Sequence, residues 1–102
     1  MDDPRLIAVL SALGQRTRLD VYRRVVAAGH DGVQTGVIAE ALQMPVNYLA
    51  THLQTLVAAG LIAKHVRGRT ARYVVDESTA GSLVPAISAV LATPRTAIEV
   101  DG

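Results

Sequence analysis

TGVIAEALQMPVNYLATHLQTLVAAG, residues 35–60, carries two apolar stripes at helical spacing on either side of a short break. The pattern predicts a first helix that begins at Thr35, whose hydroxyl can cap it, and runs to about residue 42. A second helix is expected over 45–59, because a glycine ends it and its apolar residues recur at three- and four-residue steps. Its inward side is expected to consist of Leu49, Leu53, Leu56 and Val57. Two short helices therefore meet through a tight turn.

The residues around this pair predict two more helices before it and a hairpin and a helix after it. Helices are expected over about 4–13 and 15–28, the second with Leu19, Tyr22, Val25 and Val26 facing inward. Alternating residues over 62–75 predict two strands that turn at Gly68 with a positive φ. The last helix is expected over about 82–92, capped by Ser82 with Pro85 in its first turn, although a start near Ser78 stays open. Residues after Thr93 are expected to form a polar tail.

Length and composition favour one small globular domain over residues 1–102, mainly α with a β-hairpin. Half of the 102 residues are hydrophobic, and there is no cysteine to form a disulfide or a thiolate metal site. No apolar run approaches the roughly 18 to 20 residues of a membrane span, and the start of the chain is not a cationic signal sequence. We therefore expect a cytoplasmic protein that makes no contact with membranes.

The charges are unevenly distributed along the chain, although the net charge is only +1. No acidic residue lies between Glu40 and Asp76, and that stretch contains Lys64, Arg67, Arg69 and Arg72. A surface with this bias suits a polyanion. Single-stranded nucleic acid is usually held by stacking on aromatic rings, and the chain has three tyrosines and no Phe or Trp. Duplex DNA is thus the expected partner.

A helix-turn-helix inserts its second helix into the major groove, so the outward residues of 45–59 are the candidate base readers. These are Asn47, Tyr48, Thr51, Gln54 and Thr55. Asn and Gln can bind adenine with two hydrogen bonds, and Thr can contact a thymine methyl. Asn47 is the foremost candidate. His52 has two interpretations, a donor to a phosphate or a packing residue beside the apolar stripe.

Candidate phosphate contacts come from the hairpin and from the second helix. Arg67 and Arg69 flank the hairpin glycine, where long cationic side chains extend toward a phosphate or a narrow minor groove, and Lys64 lies on the preceding strand. Arg16 and Arg18 open the second helix, where their charge opposes the helix dipole, a cost that nearby phosphates would offset.

The chain resembles the ArsR-type winged-helix repressors over about residues 6–75. The resemblance is carried by LGQRTRL (13–19), IAEAL (38–42), THL (51–53), AGLI (59–62) and RGR (67–69) with Tyr73. It implies a winged helix-turn-helix in the order α1-α2-α3-α4-hairpin-α5, with a recognition helix at 45–59 and a wing at 62–75. It also implies a homodimer built from the first and last helices, and a promoter blocked until an inducer binds.

Carried over by position, the base-reading stretch of this family falls on Val46, Asn47, Thr51 and His52, and its wing arginine on Arg69. Two positions depart from the family pattern, since Val46 replaces a polar reader and Pro45 replaces a capping serine. The operator sequence therefore cannot be transferred. The inducer stays open between an unidentified small molecule, a partner protein and no inducer at all.

Metal and catalytic readings have little support in the sequence. Gln34 and Gly36 stand where metal-sensing relatives place thiolates. His30, His52 and His65 fall on separate predicted elements, and no nucleophile or phosphate-binding loop is visible. We expect no metal, no cofactor and no enzymatic activity.

The terminal helices carry more apolar residues than a small core needs, which suggests a homodimer interface. The candidates are Leu6, Ile7, Leu10, Leu13, Leu83, Ile87, Val90 and Leu91, with Val84 beside them. The alternative is that both helices pack only within their own subunit. A further alternative for the whole chain is a winged-helix module that binds an acidic protein instead of DNA.

Overall fold

A computed structural model of the chain describes residues 1–95, so most of the predicted polar tail lies outside the described residues. The elements are α1 (Asp3–Leu13), α2 (Arg16–Ala28), a 3₁₀ turn (Gly29–Asp31), β1 (Val33–Gln34), α3 (Thr35–Leu42), α4 (Val46–Ala58), β2 (Ile62–Arg67), β3 (Thr70–Val75) and α5 (Glu77–Leu91). The predicted order of four helices, a hairpin and a fifth helix is confirmed. In this part of the chain, no helix is both long and apolar enough to cross a membrane.

The core lies where α1, α2, α3, α4 and the base of the hairpin meet. Its most deeply buried side chains are Val9, Val21, Val25, Ile38, Leu49, Leu53, Leu56 and Leu61. Two residues expected inside are instead exposed: Val57 at 39 % and Val26 at 50 %. At 100° per residue, Val57 lies about 80° from Leu49 around α4, and Val26 lies about 100° beyond Val25 around α2. Val21, which was not among the residues predicted to face inward, is fully buried in α2.

The sheet has three antiparallel strands in the order β1–β3–β2. The hairpin pairs Ile62 with Val75 and Arg67 with Thr70, and Gly68 has a φ of 60°, which confirms the predicted turn. Strand β1 was not predicted. Its two residues are too few to show an alternating pattern, and they are in a strand only because they pair with β3.

Two predicted helix starts are wrong. Thr35 does not cap α3 but is its first residue, after an extended Gln34 whose side chain makes no capping bond. Helix α5 begins at Glu77, because the Asp76 carboxylate accepts a hydrogen bond from the Thr79 amide at 3.0 Å. Pro85 therefore lies in the interior of α5, which agrees better with the alternative start near residue 78.

One polar contact joins the first helix, α1, to the last helix, α5. The Arg5 Nη2 of α1 donates to the Thr79 Oγ1 of α5 at 3.1 Å, and the Thr79 side chain is buried. Otherwise α5 packs little against the elements of residues 1–95. Its apolar side chains are therefore largely open to solvent in a single chain.

Candidate nucleic-acid interface

The N-terminus of α4 presents backbone donors without a side-chain cap. Pro45 precedes the helix in an extended conformation, with φ −62° and ψ 144°, and no side chain caps the first turn. The first helical bond runs from the Leu49 amide to the Pro45 carbonyl at 3.0 Å. The amides of residues 46–48 thus stand outside the α-helical ladder, where the helix dipole favours an anion.

The predicted base readers lie together on the outer side of α4. Asn47, Thr51 and Gln54 are all exposed and follow one another at four- and three-residue steps, so they form one stripe. Tyr48 is half exposed beside them. Thr55 is partly covered, and its hydroxyl donates to the Thr51 carbonyl at 3.1 Å. The arrangement is a polar strip that can meet base edges, with Val46 exposed at its start.

His52 does not belong to this strip, and its prediction as a phosphate contact is wrong. The residue is only 7 % exposed, and its ring lies edge-on to Tyr48 with ring centres 4.9 Å apart. Both ring nitrogens are buried without a hydrogen-bond partner in the described part of the chain. Burial, and secondarily the Arg18 charge, lowers the pKa of His52, which favours the neutral imidazole. The alternative interpretation, a packing residue, is the one observed.

The wing presents its cations to solvent. Arg67, Arg69 and Lys64 are all exposed, and the two arginines flank the turn glycine as predicted. The Thr70 hydroxyl donates to the Arg67 carbonyl at 3.0 Å, which fixes the tip of the hairpin. The tip can therefore direct two guanidinium groups at a phosphate or a groove.

The two arginines that open α2 differ in their surroundings. Arg16 is exposed and pairs with Asp20 across one helical turn at 3.2 Å. Arg18 is half-buried, and its Nε donates to the Ala12 carbonyl near the end of α1 at 2.7 Å. Its first role is thus to hold the α1–α2 corner, which leaves only its terminal amino groups for a phosphate.

The apolar side chains of the terminal helices divide into two groups. Ile7, Leu10, Val90 and Leu91 are exposed, with Leu91 at 80 % and Ile7 at 66 %. Leu13, Leu83 and Ile87 are half-buried, whereas Leu6 is buried within its own chain, so its prediction as an interface residue is wrong. Val84, which was noted only beside the predicted set, is 70 % exposed.

Within residues 1–95, no group of three or more His, Asp or Glu side chains is arranged to hold a metal ion. The predicted site is therefore a surface of polar and cationic side chains on α4 and the wing. A helix-turn-helix at α3–α4, followed by a hairpin with exposed arginines, defines the class of winged helix-turn-helix proteins.

The chain belongs to the helix-turn-helix domain family, whose model matches residues 13–65. No curated protein is significantly similar to it in sequence. In fold it is similar to an ArsR-like transcriptional regulator from Rhodococcus sp. RHA1, with a TM-score of 0.75 and 24 % identity, covering 87 % of this chain and 81 % of that one.

Two other solved structures have the same fold. One is the homodimeric winged helix-turn-helix DNA-binding domain of a possible ArsR-family regulator from Mycobacterium bovis, with a TM-score of 0.69 and 22 % identity, covering 89 % of this chain and 87 % of that one. The other is a mutant of MepR from S. aureus bound to an oligodeoxyribonucleotide, with a TM-score of 0.58 and 20 % identity, covering 92 % and 77 %. The winged helix-turn-helix fold of ArsR-type regulators is thus confirmed for this chain.

Proposed function

We propose that this chain is a homodimeric repressor that acts in the cytoplasm and binds a pseudo-palindromic duplex operator with α4 and the wing. The observation that carries the proposal is the exposed strip of Asn47, Thr51 and Gln54 on a helix whose neighbouring hairpin exposes Arg67 and Arg69. The strip supplies hydrogen-bonding groups for base edges, and the arginines supply charge for the backbone.

The two parts of this surface have different tasks. The uncapped amides at the start of α4 and the wing arginines are suited to phosphate oxygens, which position the protein but carry no sequence information. Asn47 and Thr51 are suited to base edges, which do carry it. Removing the first kind of contact should weaken binding to all duplexes, and removing the second should weaken binding to the operator alone.

The exposed apolar residues of the terminal helices support a homodimer. Ile7, Leu10, Val84 and Leu91 leave a broad apolar surface on α1 and α5 that a second copy would cover. The domain from Mycobacterium bovis, which has this fold, is described as homodimeric. A two-fold dimer would place two α4 helices about 34 Å apart, the spacing of successive major grooves.

Selection of bound fragments from random duplex DNA, followed by mobility shifts on the selected site, tests the DNA-binding proposal. The double change Asn47→Ala with Thr51→Ala is expected to lower affinity for that site by about 10- to 100-fold and to leave non-specific binding in place. Arg24→Ala, an exposed change on α2, is the control. A chain that selects no sequence, or whose double variant binds the selected site as well as wild type, would refute the assignment.

Sedimentation equilibrium tests the dimer independently of DNA. Ile7→Asp with Leu91→Asp places two charges on the apolar surface and is expected to shift the chain from dimer to monomer. Val37→Asp, an equally exposed valine on α3, is the control and should leave the dimer intact. A wild-type monomer at micromolar concentration, or a dimer indifferent to the paired change, would contradict this interface.

A winged-helix module that binds an acidic protein is the competing function. It predicts no salt-sensitive, sequence-specific shift on duplex DNA, so the same selection experiment separates the two.

A further inference from the structure

A groove runs along the outer face of the hairpin, away from the core. Its centre is lined by His30, His65 and Val74, which border both of its ends. One end, of about 460 Å³, adds Asp31, Arg67, Thr70 and Arg72. The other end, of about 440 Å³, adds Val26, Val75, Ala80 and Glu77. We call the first the polar end and the second the apolar end.

The polar end is built by a close approach between the 3₁₀ turn and β3. Gly32 has a φ of 74°, and a Cβ at this position would lie 2.9 Å from the Val74 Cγ1. The Gly32 carbonyl accepts a hydrogen bond from the Arg72 Nη1 at 3.3 Å. The 3₁₀ turn therefore packs directly against β3, and the hydrogen bond holds the Arg72 guanidinium at the groove.

The hairpin register places the other polar groups beside this guanidinium. Across the two strands, His65 pairs with Arg72 and Arg67 pairs with Thr70. Both pairs lie on the same face, because successive residues of a strand alternate between faces. Two guanidinium groups, an imidazole and a hydroxyl therefore meet at one end of the groove.

The charges at the two ends differ. Arg67 and Arg72 together with Asp31 leave one net positive charge at the polar end, which matches a single anionic group better than a dianion. Among residues 1–95, the only carboxylate that lines the apolar end is that of Glu77, which lies 3.5 Å from the His30 Nε2 at the rim. A volume of this size is within the range of small-molecule sites.

We propose that this groove binds a small monocarboxylic acid with a compact apolar body. The carboxylate lies between Arg67 and Arg72, and the body lies against Val26, Val75 and Ala80. Guanidinium and carboxylate form charge-assisted, often bidentate hydrogen bonds, and the apolar end removes the body from water.

A regulatory consequence rests on the proposed DNA-binding function. Arg67 belongs both to the groove and to the wing, so a carboxylate that engages it competes with a DNA phosphate. The acid would then act as an inducer that weakens the wing contact.

The binding itself is tested without DNA, by titrating the ¹⁵N-labelled full chain with hexanoate and benzoate. Hexanamide and benzamide, of the same size without the charge, are the matched probes. Saturable amide shifts at His65, Arg72 and Val74 with the acids and not with the amides are expected. Equal responses to acid and amide, or to inorganic phosphate and hexanoate, would overturn the proposal.

Variants separate a site from a surface charge effect. Arg67→Gln is expected to raise the Kd of hexanoate at least about tenfold, because a charge-assisted bond is lost. Arg72→Gln is expected to raise this Kd as well. Because Arg72→Gln also removes the hydrogen bond to the Gly32 carbonyl and could unfold the turn, Arg67→Gln, which leaves that bond in place, is the decisive variant. Val26→Glu, at an exposed position, should weaken hexanoate more than acetate. Arg24→Gln, on the exposed side of α2, is the control and must bind as wild type.

The outcomes distinguish this inference from the proposed function. If the acids fail to bind and the operator shift persists, the groove proposal is overturned alone. If hexanoate binds in the groove but leaves operator affinity unchanged, its inducer role is overturned and the site stands. Acid binding by a chain that selects no operator would confirm the site and refute the DNA-binding function.

Discussion

Replacement of the buried His52 by leucine should make the protein more stable. A neutral imidazole has one N–H donor and one acceptor nitrogen, and in residues 1–95 both are buried without a partner. Each unmet group costs about 1–3 kcal/mol, whereas the lost edge contact with Tyr48 is worth about 0.5–1.5 kcal/mol. The two unmet groups together cost about 2–6 kcal/mol. His52→Leu keeps a side chain of similar size, so after subtracting the lost ring contact and up to about 1.5 kcal/mol for repacking we expect a net gain centred on about 2 kcal/mol in the free energy of unfolding.

The gain should increase in acid. Burial first, and the Arg18 charge second, lowers the pKa of His52 below its ordinary value of 6.5. The unfolded chain therefore takes up a proton at this residue at a higher pH than the folded chain does. The contribution of neutral His52 to the free energy of unfolding is present in full above about pH 6.5. It is lost progressively as the pH falls from there to the folded-state pKa. His52→Leu removes this decline.

Urea unfolding followed by circular dichroism, at one protein concentration, checks both statements. The difference between His52→Leu and wild type is expected to be positive at pH 8 and larger at pH 5.5. Gly36→Ala, a change that involves no titratable group, should differ from wild type by the same amount at both pH values. A leucine variant that is less stable at pH 8, or whose difference from wild type is the same at both pH values, would refute the reasoning. Operator affinity should be retained, because the ring does not reach the surface; its loss would mean that the imidazole does contact DNA.

Three further predictions concern backbone space, salt and the terminal helices. Gly32→Ala should destabilise the protein by about 2–4 kcal/mol, because the new Cβ would lie 3.0 Å from the Tyr73 carbonyl oxygen and the residue has a left-handed φ. Gly36→Ala in α3, which has open space around it, should be neutral or stabilising. Urea unfolding of both variants compares them. Arg69→Ala should reduce the slope of log K against log salt by about 0.9 for each subunit bound, and Arg24→Ala should leave that slope unchanged in a fluorescence titration. Arg5→Ala should lower the free energy of unfolding by about 1 kcal/mol and with it the thermal midpoint, because the buried Thr79 hydroxyl on α5 loses its hydrogen-bond donor. An unchanged midpoint would show that water replaces the guanidinium.

The recognition unit was predictable because its signals are local. The helix break between α3 and α4, the glycine after α4 and the alternation in the hairpin each lie within a few residues of the structure they specify. The exposure of Asn47, Thr51 and Gln54 also followed from helical spacing alone. These positions needed no knowledge of the rest of the fold.

The errors arose where a neighbouring segment decides the outcome. Strand β1 exists because Val33 and Gln34 pair with β3, which lies almost forty residues further along the chain. The start of α5 was misplaced because both Asp76 and Ser82 are good capping residues and the chain uses the earlier one. Pro85 lacks an amide N–H, which predicts a place in the first turn of a helix, but it lies in the interior of α5.

Side chains at the edge of an apolar stripe were the least predictable part of the candidate site. His52 lies between Thr51, which belongs to the exposed polar strip, and Leu53, which belongs to the core. Helical spacing alone therefore does not decide whether its side chain is exposed or buried. Its ring lies against Tyr48 one turn earlier in α4, and Arg18 of α2 lies nearby, so its burial depends on how α4 packs against α2. The hairpin groove was equally hidden, because its lining comes from α2, the 3₁₀ turn, both strands and α5.

Helix α5 connects the proposed dimer to the proposed DNA contact. It is 15 residues long with an internal proline, and a helix of that length is marginal in water unless an apolar face is packed. Within residues 1–95 little packs against it, and Val84 and Leu91 are among the most exposed side chains. In the proposed dimer, the exposed side of α1 in a second copy would offer α5 an apolar surface of the same kind. On the proposed dimer, those contacts would also set the distance between the two α4 helices. Folding of the terminal helices would then be coupled to the distance between the two α4 helices. A substitution in α1 or α5, far from the DNA, could therefore alter operator affinity without changing a base-reading residue.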